Sequence, residues 1–295
     1  METLIIEQTD RENVSLRMRG QVLSEMNHTY LTNRIGLPNL EQFQLKTAIA
    51  ILETAGCSKK ETELITSVLL LIYHGLSVHE NIDENQIEGN FRQLKVLAGD
   101  YYSSKYYYLL ASQGQIELIG LFAEAVAKIN EAKAERAALL RLDQSNTDKY
   151  LLLTERIHGE LLYALCSRYL RAESVTFDLV RLLVKAHIFG IEYNQFLSGH
   201  WYANLSYLFI KEQATEEEIR LLASKHSYLQ DSKIMTIHVK YGTSSYLFEQ
   251  LQTGLVTVQS LLSVPDSPIA AERFNRICAF LKESYMETQR IVEER

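Results

Sequence analysis

Three carboxylates near residue 80 are the side chains whose types and spacing could do metal chemistry. In a helix, Glu80, Asp83 and Glu84 would share one face, because residues three and four apart are neighbours on a helix surface. Carboxylate oxygens are the ligands that Mg²⁺ prefers, so this group could hold a weakly bound cation. The same pattern is typical of a solvated acidic helix end, which we favour over a minimal metal site.

The histidines and the common catalytic motifs give no second candidate. His74 and His79 are five residues apart and would not share a helical face, which makes them a poor metal pair. His158 and His187 lie in apolar segments, and we expect them to be core residues. The sequence contains no G-x-S-x-G, no phosphate-binding glycine loop and no H-E-x-x-H. We therefore assign no catalytic residue and no metal ligand to this chain.

Composition excludes several classes of partner. A formal net charge of -7 over 295 residues argues against nucleic-acid binding, which requires clustered Lys and Arg. Three unclustered cysteines are typical of free thiols in a reducing cytosol rather than of a disulfide framework. The longest apolar run, at residues 68–73, is far shorter than the ~20 residues of a membrane span. We predict a soluble, cytoplasmic protein without a transmembrane segment.

The elements that would position any site are helices. Long segments rich in Leu, Ala, Glu and Lys predict an all-α fold of about ten or more helices, and the chain has only three prolines. We predict one helical domain over residues 1–250 and a C-terminal helical extension over residues 251–295 that packs on it. The expected boundaries include a continuous helix from 12 to 30, a helix cap at Ser145, and helix interruptions at 190–191 and 253.

Residues 92–112 form the helix around which we expect the chain to be organised. Its interior charges, Lys95, Asp100 and Lys105, each lie roughly 140° round the helix from the one before, so they share no solvent-facing side. Its tyrosines are also spread over several faces. A helix with apolar and aromatic groups all round must be surrounded, either by its own fold or by a partner. Ala98 and Gly99 leave room for another helix backbone to approach closely.

The segment VLAGDYY at residues 96–102 resembles the VLAGDY segment of trans-prenyl diphosphate synthases. More narrowly, HE at 79–80, RQL at 92–94 and YYYLL at 106–110 resemble the component I family of heptaprenyl diphosphate synthase. That family is the small subunit of a two-component bacterial enzyme. The resemblance extends over roughly residues 25–250 and implies a single large helical bundle of the isoprenoid (trans-prenyl diphosphate) synthase type.

The catalytic parts of trans-prenyl diphosphate synthases are replaced in this chain. Catalytic members hold Mg²⁺ with two DDxxD-type motifs on facing helices, and the metal assists departure of the diphosphate. Residues 80–84, ENIDE, form at most a degenerate first motif, and the Arg-Arg-Gly segment that should follow it is missing. Ile157 stands where the family has a lysine, and Leu197 and Ser198 stand at the positions of the second aspartate pair. We therefore expect no ionisation of a prenyl diphosphate by this chain alone.

The resemblance implies a non-catalytic subunit that docks on a catalytic large subunit as a heterodimer. The partner would carry both aspartate-rich motifs, bind Mg²⁺, and make heptaprenyl diphosphate for menaquinone biosynthesis. This chain has no implied cofactor of its own and would help to enclose the growing prenyl diphosphate chain in a shared tunnel. The alternative is a catalytically dead all-α scaffold or a lipid-binding homodimer, in which the isolated chain pairs with itself through the same surface. The candidate interface or tunnel residues are Gly99, Asp100, Tyr101, Tyr102, Tyr106 and Tyr107.

Overall fold

A computed structural model describes residues 18–36, 39–78, 91–171, 174–200, 203–223, 231–263 and 268–293 of the chain. All regular structure in these ranges is helical, in agreement with the predicted fold class, and it forms thirteen helices. They are α1 (residues 18–26), α2 (Thr29–Ile35), α3 (Gln42–Thr54), α4 (Lys59–Val78), α5 (Phe91–Ser112), α6 (Ile116–Arg141), α7 (Thr147–Tyr169), α8 (Val175–Leu197), α9 (Leu205–Lys211), α10 (Glu216–Ala223), α11 (Ser232–Lys240), α12 (Thr243–Leu262) and α13 (Pro268–Glu293).

The chain forms two compact units, Met1–Glu124 and Ala125–Arg295. The predicted boundary at residue 250 lies inside α12, and both α12 and α13 pack on α8 in the second unit. The predicted division into residues 1–250 and 251–295 stays a prediction.

The predicted continuous helix from 12 to 30 is wrong in its second half, because the chain breaks at Asn27 and His28. His28 is extended and caps α2, its ring nitrogen Nδ1 accepting the N–H of Leu31 at 3.5 Å. A side-chain acceptor at this position satisfies one of the first N–H groups of a helix, which favours the beginning of a new helix at residue 29. Met18 and Met26 are buried as the four-residue spacing predicts.

In the first unit, α4 packs against α3 on one side and α5 on the other. Its start is fixed by Ser58, whose hydroxyl accepts the N–H of Glu61 at 3.3 Å. The end of α3 is fixed by Gly56, which has a positive φ of 80° and lets the N–H of Cys57 reach the carbonyl of Leu52. These caps place α4 as a 20-residue helix whose apolar side chains fill the core of the unit.

Two glycines allow α4 and α5 to approach each other closely. A Cβ atom on Gly75 of α4 would lie 3.4 Å from the carbonyl oxygen of Gly99 and 3.5 Å from the Cβ of Tyr102. The predicted close approach at Gly99 is therefore confirmed, and its partner is Gly75. This contact determines which side of α5 faces inward.

In the second unit, α8 is the helix on which α7, α12 and α13 pack. The predicted interruption of this helix at 190–191 is wrong, since α8 runs without a break to Leu197. Gly190 has a helical backbone, and a Cβ atom there would overlap the ring of Tyr285 on α13. The glycine thus serves helix packing rather than helix termination.

Two other predicted boundaries are also wrong. The interruption expected at residue 253 lies instead at Gly242, which has a φ of 62°, while Gly254 lies within α12 and packs on Ala186 of α8. The cap of α7 is Asn146 rather than Ser145, because the Asn146 side chain accepts the N–H of Lys149 at 2.8 Å.

Replacing Gly190 by alanine tests the contact between α8 and α13. We expect Gly190→Ala to lower the free energy of unfolding by about 1–3 kcal/mol, because the new methyl group displaces the Tyr285 ring. The matched control is Gly120→Ala, since Gly120 also lies inside a helix but has open space around it. Alanine there should stabilise the protein by up to about 1 kcal/mol through helix propensity.

Chemical denaturation of the wild type and both variants measures the difference in free energy of unfolding. Comparing Tyr285→Ala with the double variant Gly190→Ala/Tyr285→Ala measures the coupling between the two residues. Once the Tyr285 ring is removed, Gly190→Ala should cost little further stability, because the added methyl group no longer meets the ring. Equal stability of the two single glycine-to-alanine variants would contradict the packing described.

Candidate functional site

Helix α5 has one buried and one exposed face. The buried side chains and backbone positions recur every three to four residues and face α4 and α2. They are Ala98, Gly99, Tyr102, Tyr106 and Leu110. The other sides of the helix expose four large apolar side chains: Val96 38%, Leu97 55%, Tyr107 43% and Tyr108 65%. An exposed apolar patch of this kind is typical of a surface that binds another protein.

Ring contacts hold the tyrosines of α5 in place. The rings of Tyr106 and Tyr107 are stacked with centroids 4.2 Å apart, which joins the buried face to the exposed one. Burial and the neighbouring Tyr107 hydroxyl raise the pKa of Tyr106, so it stays neutral. On the other side, Tyr101 makes an edge contact with the ring of His28 at 5.2 Å. The exposed Tyr107 ring is thus held against the buried Tyr106, and the half-buried Tyr101 ring against His28.

The structure places the six candidate residues at different depths. Gly99, Tyr102 and Tyr106 lie in the interior of the first unit, Tyr101 is half-buried, and Asp100 and Tyr107 are exposed. Their assignment to an interface or a tunnel stays a prediction. The sequence-based set omitted three exposed apolar neighbours on the same face, Val96, Leu97 and Tyr108.

A cavity of 420 Å³ lies in the first unit, lined by α4, α5 and the segment that follows α2. His74 lies in its wall, and its Nε2 accepts the backbone N–H of Glu41 at 3.4 Å. Burial lowers the pKa of His74 to about 4. The imidazole is therefore a neutral hydrogen-bond acceptor that joins α4 to the start of α3.

In the second unit, the residues predicted to stand at diphosphate-binding positions are apolar or already hydrogen-bonded. Ile157, at the lysine position, is buried with Leu153 and Ala132. Leu197 ends α8, and the hydroxyl of Ser198 donates to the carbonyl of Asn194 at 2.8 Å. These residues do not fit a Mg²⁺–diphosphate site, because none offers a carboxylate or a cationic side chain.

His187 is a core residue, as the sequence predicts, whereas His158 is half-buried. Burial lowers the pKa of His158 to about 4 and that of His187 well below its usual value. The two rings meet edge to face at 6.0 Å, and Nδ1 of His187 hydrogen-bonds the hydroxyl of Tyr285 at 2.8 Å. Their neutral state is consistent with packing of α7, α8 and α13.

Sequence reasoning missed a buried carboxylate at Glu192. It accepts the Tyr150 hydroxyl at 2.8 Å and the N–H of Leu205 at 3.1 Å, which ties α7 and the start of α9 to α8. Burial raises the pKa of Glu192, an effect partly offset by these hydrogen bonds. A lone charged residue in the apolar run before Leu197 is the signal that could have revealed it.

The degenerate first motif, Glu80, Asp83 and Glu84, lies outside the described residues. Within the described ranges, no three His, Cys, Asp or Glu side chains come close enough together to hold a metal ion. In the same ranges no helix combines the length and apolarity needed to cross a membrane.

Comparison with known proteins identifies relatives of this chain. The family described as heptaprenyl diphosphate synthase (HEPPP synthase) subunit 1 matches residues 28–190. Component 1 of heptaprenyl diphosphate synthase from Geobacillus stearothermophilus is 41% identical over 83 residues. That alignment spans 28% of this chain and 38% of the relative.

Solved structures show the fold. The decaprenyl diphosphate synthase of Rhodobacter capsulatus aligns with a TM-score of 0.74 at 14% identity and covers 94% of this chain and 98% of its own. The geranylgeranyl pyrophosphate synthase of Lactobacillus brevis aligns with a TM-score of 0.75 at 13% identity, over 95% and 99% of the two chains. These likenesses confirm the predicted all-α fold of the trans-prenyl diphosphate synthase type.

The lowered pKa of His74 predicts a pH dependence of stability. Between pH 6.5 and about 4, the unfolded chain binds a proton at this histidine that the folded chain does not. The stabilisation is therefore complete above pH 6.5 and is lost as the pH falls towards 4, by on the order of 3 kcal/mol. His74→Gln keeps an acceptor for the Glu41 N–H and should reduce the slope of unfolding free energy against pH; the other histidines whose pKa is lowered account for the slope that remains.

The measurement is chemical denaturation at a series of pH values from 4.5 to 7.5. His200→Gln is the control, because His200 is exposed. Parallel curves for the wild type and His74→Gln would show that His74 does not hold its neutral state in the fold.

Proposed function

Because the chain belongs to the heptaprenyl diphosphate synthase subunit 1 family, we propose that it is the non-catalytic subunit of a heterodimeric heptaprenyl diphosphate synthase. Its partner is a catalytic subunit that carries both DDxxD motifs. The observation that carries the proposal is the exposed apolar and aromatic face of α5 on a fold whose diphosphate-binding positions have lost their ligands.

The chemistry assigned to the partner follows from what this chain lacks. Ionising an allylic diphosphate requires Mg²⁺ to take up the charge of the leaving group, and Mg²⁺ requires oxygen ligands. Leu197 and Ser198 cannot supply the second half of such a site. The partner therefore binds the Mg²⁺, farnesyl diphosphate and isopentenyl diphosphate, and this chain contributes no cofactor of its own.

The docking surface is the exposed face of α5. Leu97, Tyr107 and Tyr108 present apolar area that water solvates poorly, and each buried Å² contributes about 25 cal/mol. Tyr is also one of the residue types that most often dominate protein–protein binding. Because Tyr107 is stacked on the buried Tyr106, its side chain is already ordered and loses less conformational entropy on docking.

Docking gives this chain a role in product length. A helical subunit packed beside the catalytic one would stabilise its active fold and help to enclose the growing apolar chain. Each CH₂ group that moves from water into a tunnel contributes about 0.8 kcal/mol, so wall side chains decide where elongation stops. The product, heptaprenyl diphosphate, would supply the side chain of menaquinone.

Reconstitution tests the proposal. The purified chain, a DDxxD-bearing subunit from the same genome, and their mixture are each incubated with Mg²⁺, farnesyl diphosphate and labelled isopentenyl diphosphate. We expect no condensation by this chain alone and long-chain product from the mixture. Condensation by the isolated chain, or a mixture no more active than the catalytic subunit, would reject the assignment.

Substitution on α5 tests the docking surface. Leu97→Glu should weaken the complex at least about tenfold, because it moves a charge into an apolar contact. Leu152→Glu on α7 is the matched control, since Leu152 is 52% exposed and Leu97 is 55% exposed. Binding and restored activity are measured for both variants.

The opposite ranking of the two variants would move the docking surface away from α5. A third result, stable self-association through α5 without any binding to the catalytic subunit, would favour the alternative function, a catalytically dead scaffold or lipid-binding homodimer.

A further inference from the structure

One charged side chain lies in the middle of the exposed face of α5. Asp100 is one helical turn beyond Val96 and Leu97 and one turn before Ser104, and Tyr107 follows a turn later on the same side. Asp100 is exposed, and among the residues that the structure describes it forms no ion pair.

The lysines of α5 do not neutralise this carboxylate. Lys105 lies on another side of the helix and pairs with Glu25, its Nζ 3.0 Å from the carboxylate. Lys95 lies over the ring of Phe91, with 5.0 Å between Nζ and the ring centre. Each lysine is roughly 140° round the helix from Asp100, a separation that their side chains do not bridge. Among the described residues, no cation is paired with the negative charge on this apolar face.

Covering this face would remove Asp100 from water. A buried carboxylate strongly opposes binding unless it is paired and hydrogen-bonded. We propose that Asp100 determines the specificity of the docking surface, and that the partner subunit places a lysine or arginine side chain against it. This inference rests on the proposed function, since it specifies the chemistry of the same interface.

Charge also favours a cationic partner over a second copy of this chain. The chain has a formal net charge of -7, and its exposed α5 face offers no cation between residues 96 and 111. Two copies joined through this face would bury two aspartates without a basic side chain from either α5 face. Unpaired buried charges would weaken self-association, whereas a cation on the partner subunit opposite Asp100 would strengthen binding to that subunit.

The test compares Asp100→Asn, Asp100→Leu and Glu249→Gln in binding to the DDxxD-bearing subunit from the same genome. Asparagine keeps the shape of the side chain and removes its charge. Leucine adds apolar area but leaves an opposing cation unpaired. Glu249→Gln is the matched control, because it removes one exposed carboxylate from α12 and leaves α5 unchanged. Dissociation constants are measured at 50 and 500 mM NaCl.

We expect Asp100→Asn and Asp100→Leu each to weaken binding at least about thirtyfold, and Glu249→Gln to change it less than about threefold. The salt dependence of the wild-type complex should also be reduced by both Asp100 variants. If Asp100→Asn binds like the control, or Asp100→Leu binds more tightly than the wild type, no cation faces Asp100 and the inference is wrong.

A failure of the proposed function gives a different result. In that case the wild-type chain binds no DDxxD-bearing subunit at either salt concentration and gives no stimulation in the reconstitution assay. A wild-type complex that is unaffected by the Asp100 variants overturns only the inference about charge.

Discussion

The close contact between Gly75 and Gly99 determines what α5 presents to its surroundings. With no side chain on either glycine, the backbone of α4 approaches α5 closely, and the Cβ of Tyr102 also lies against this contact. The rotation of α5 about its axis is then fixed. One set of aromatic side chains points into the first unit, and Leu97, Tyr107 and Tyr108 point outward. The candidate docking surface follows from this helix packing.

The packing of the second unit depends on helix α8 and on the residues that hold it in place. Helix α8 is held by α7, α9, α12 and α13, and Tyr285 of α13 packs directly over Gly190. Glu192, the buried carboxylate of this helix, is used to join helices through Tyr150 and the start of α9. Its hydrogen bonds join helices, and Leu197 and Ser198 stand at the positions where the sequence comparison predicts the second aspartate pair. The scaffold is maintained by apolar packing and local hydrogen bonds, neither of which requires a metal.

The sequence predicted the helical class, the fold type, the family and the close approach at Gly99. It did not predict which tyrosines of α5 are exposed. A helix that is apolar on every side has no periodic signal that marks its inner face, and the missing information is the position of Gly75 on another helix. The helix interruptions predicted at 190–191 and 253 were wrong for a related reason. Gly190 and Gly254 permit close side-chain packing within a helix and do not form a turn. Local sequence does not distinguish these two uses of glycine, because both depend on a distant partner.

Hydrogen exchange on α5 tests the central claim most directly. The chain is labelled alone and in the presence of the DDxxD-bearing subunit, and the exchange of backbone amides is followed by mass spectrometry. Docking on the exposed face predicts slower exchange in peptides that cover residues 96–111, because bound helices open less often. Peptides of α12, which includes the exposed Val256, serve as an internal reference. Unchanged exchange across α5, with protection elsewhere in the chain, would contradict the assignment of this helix as the docking element.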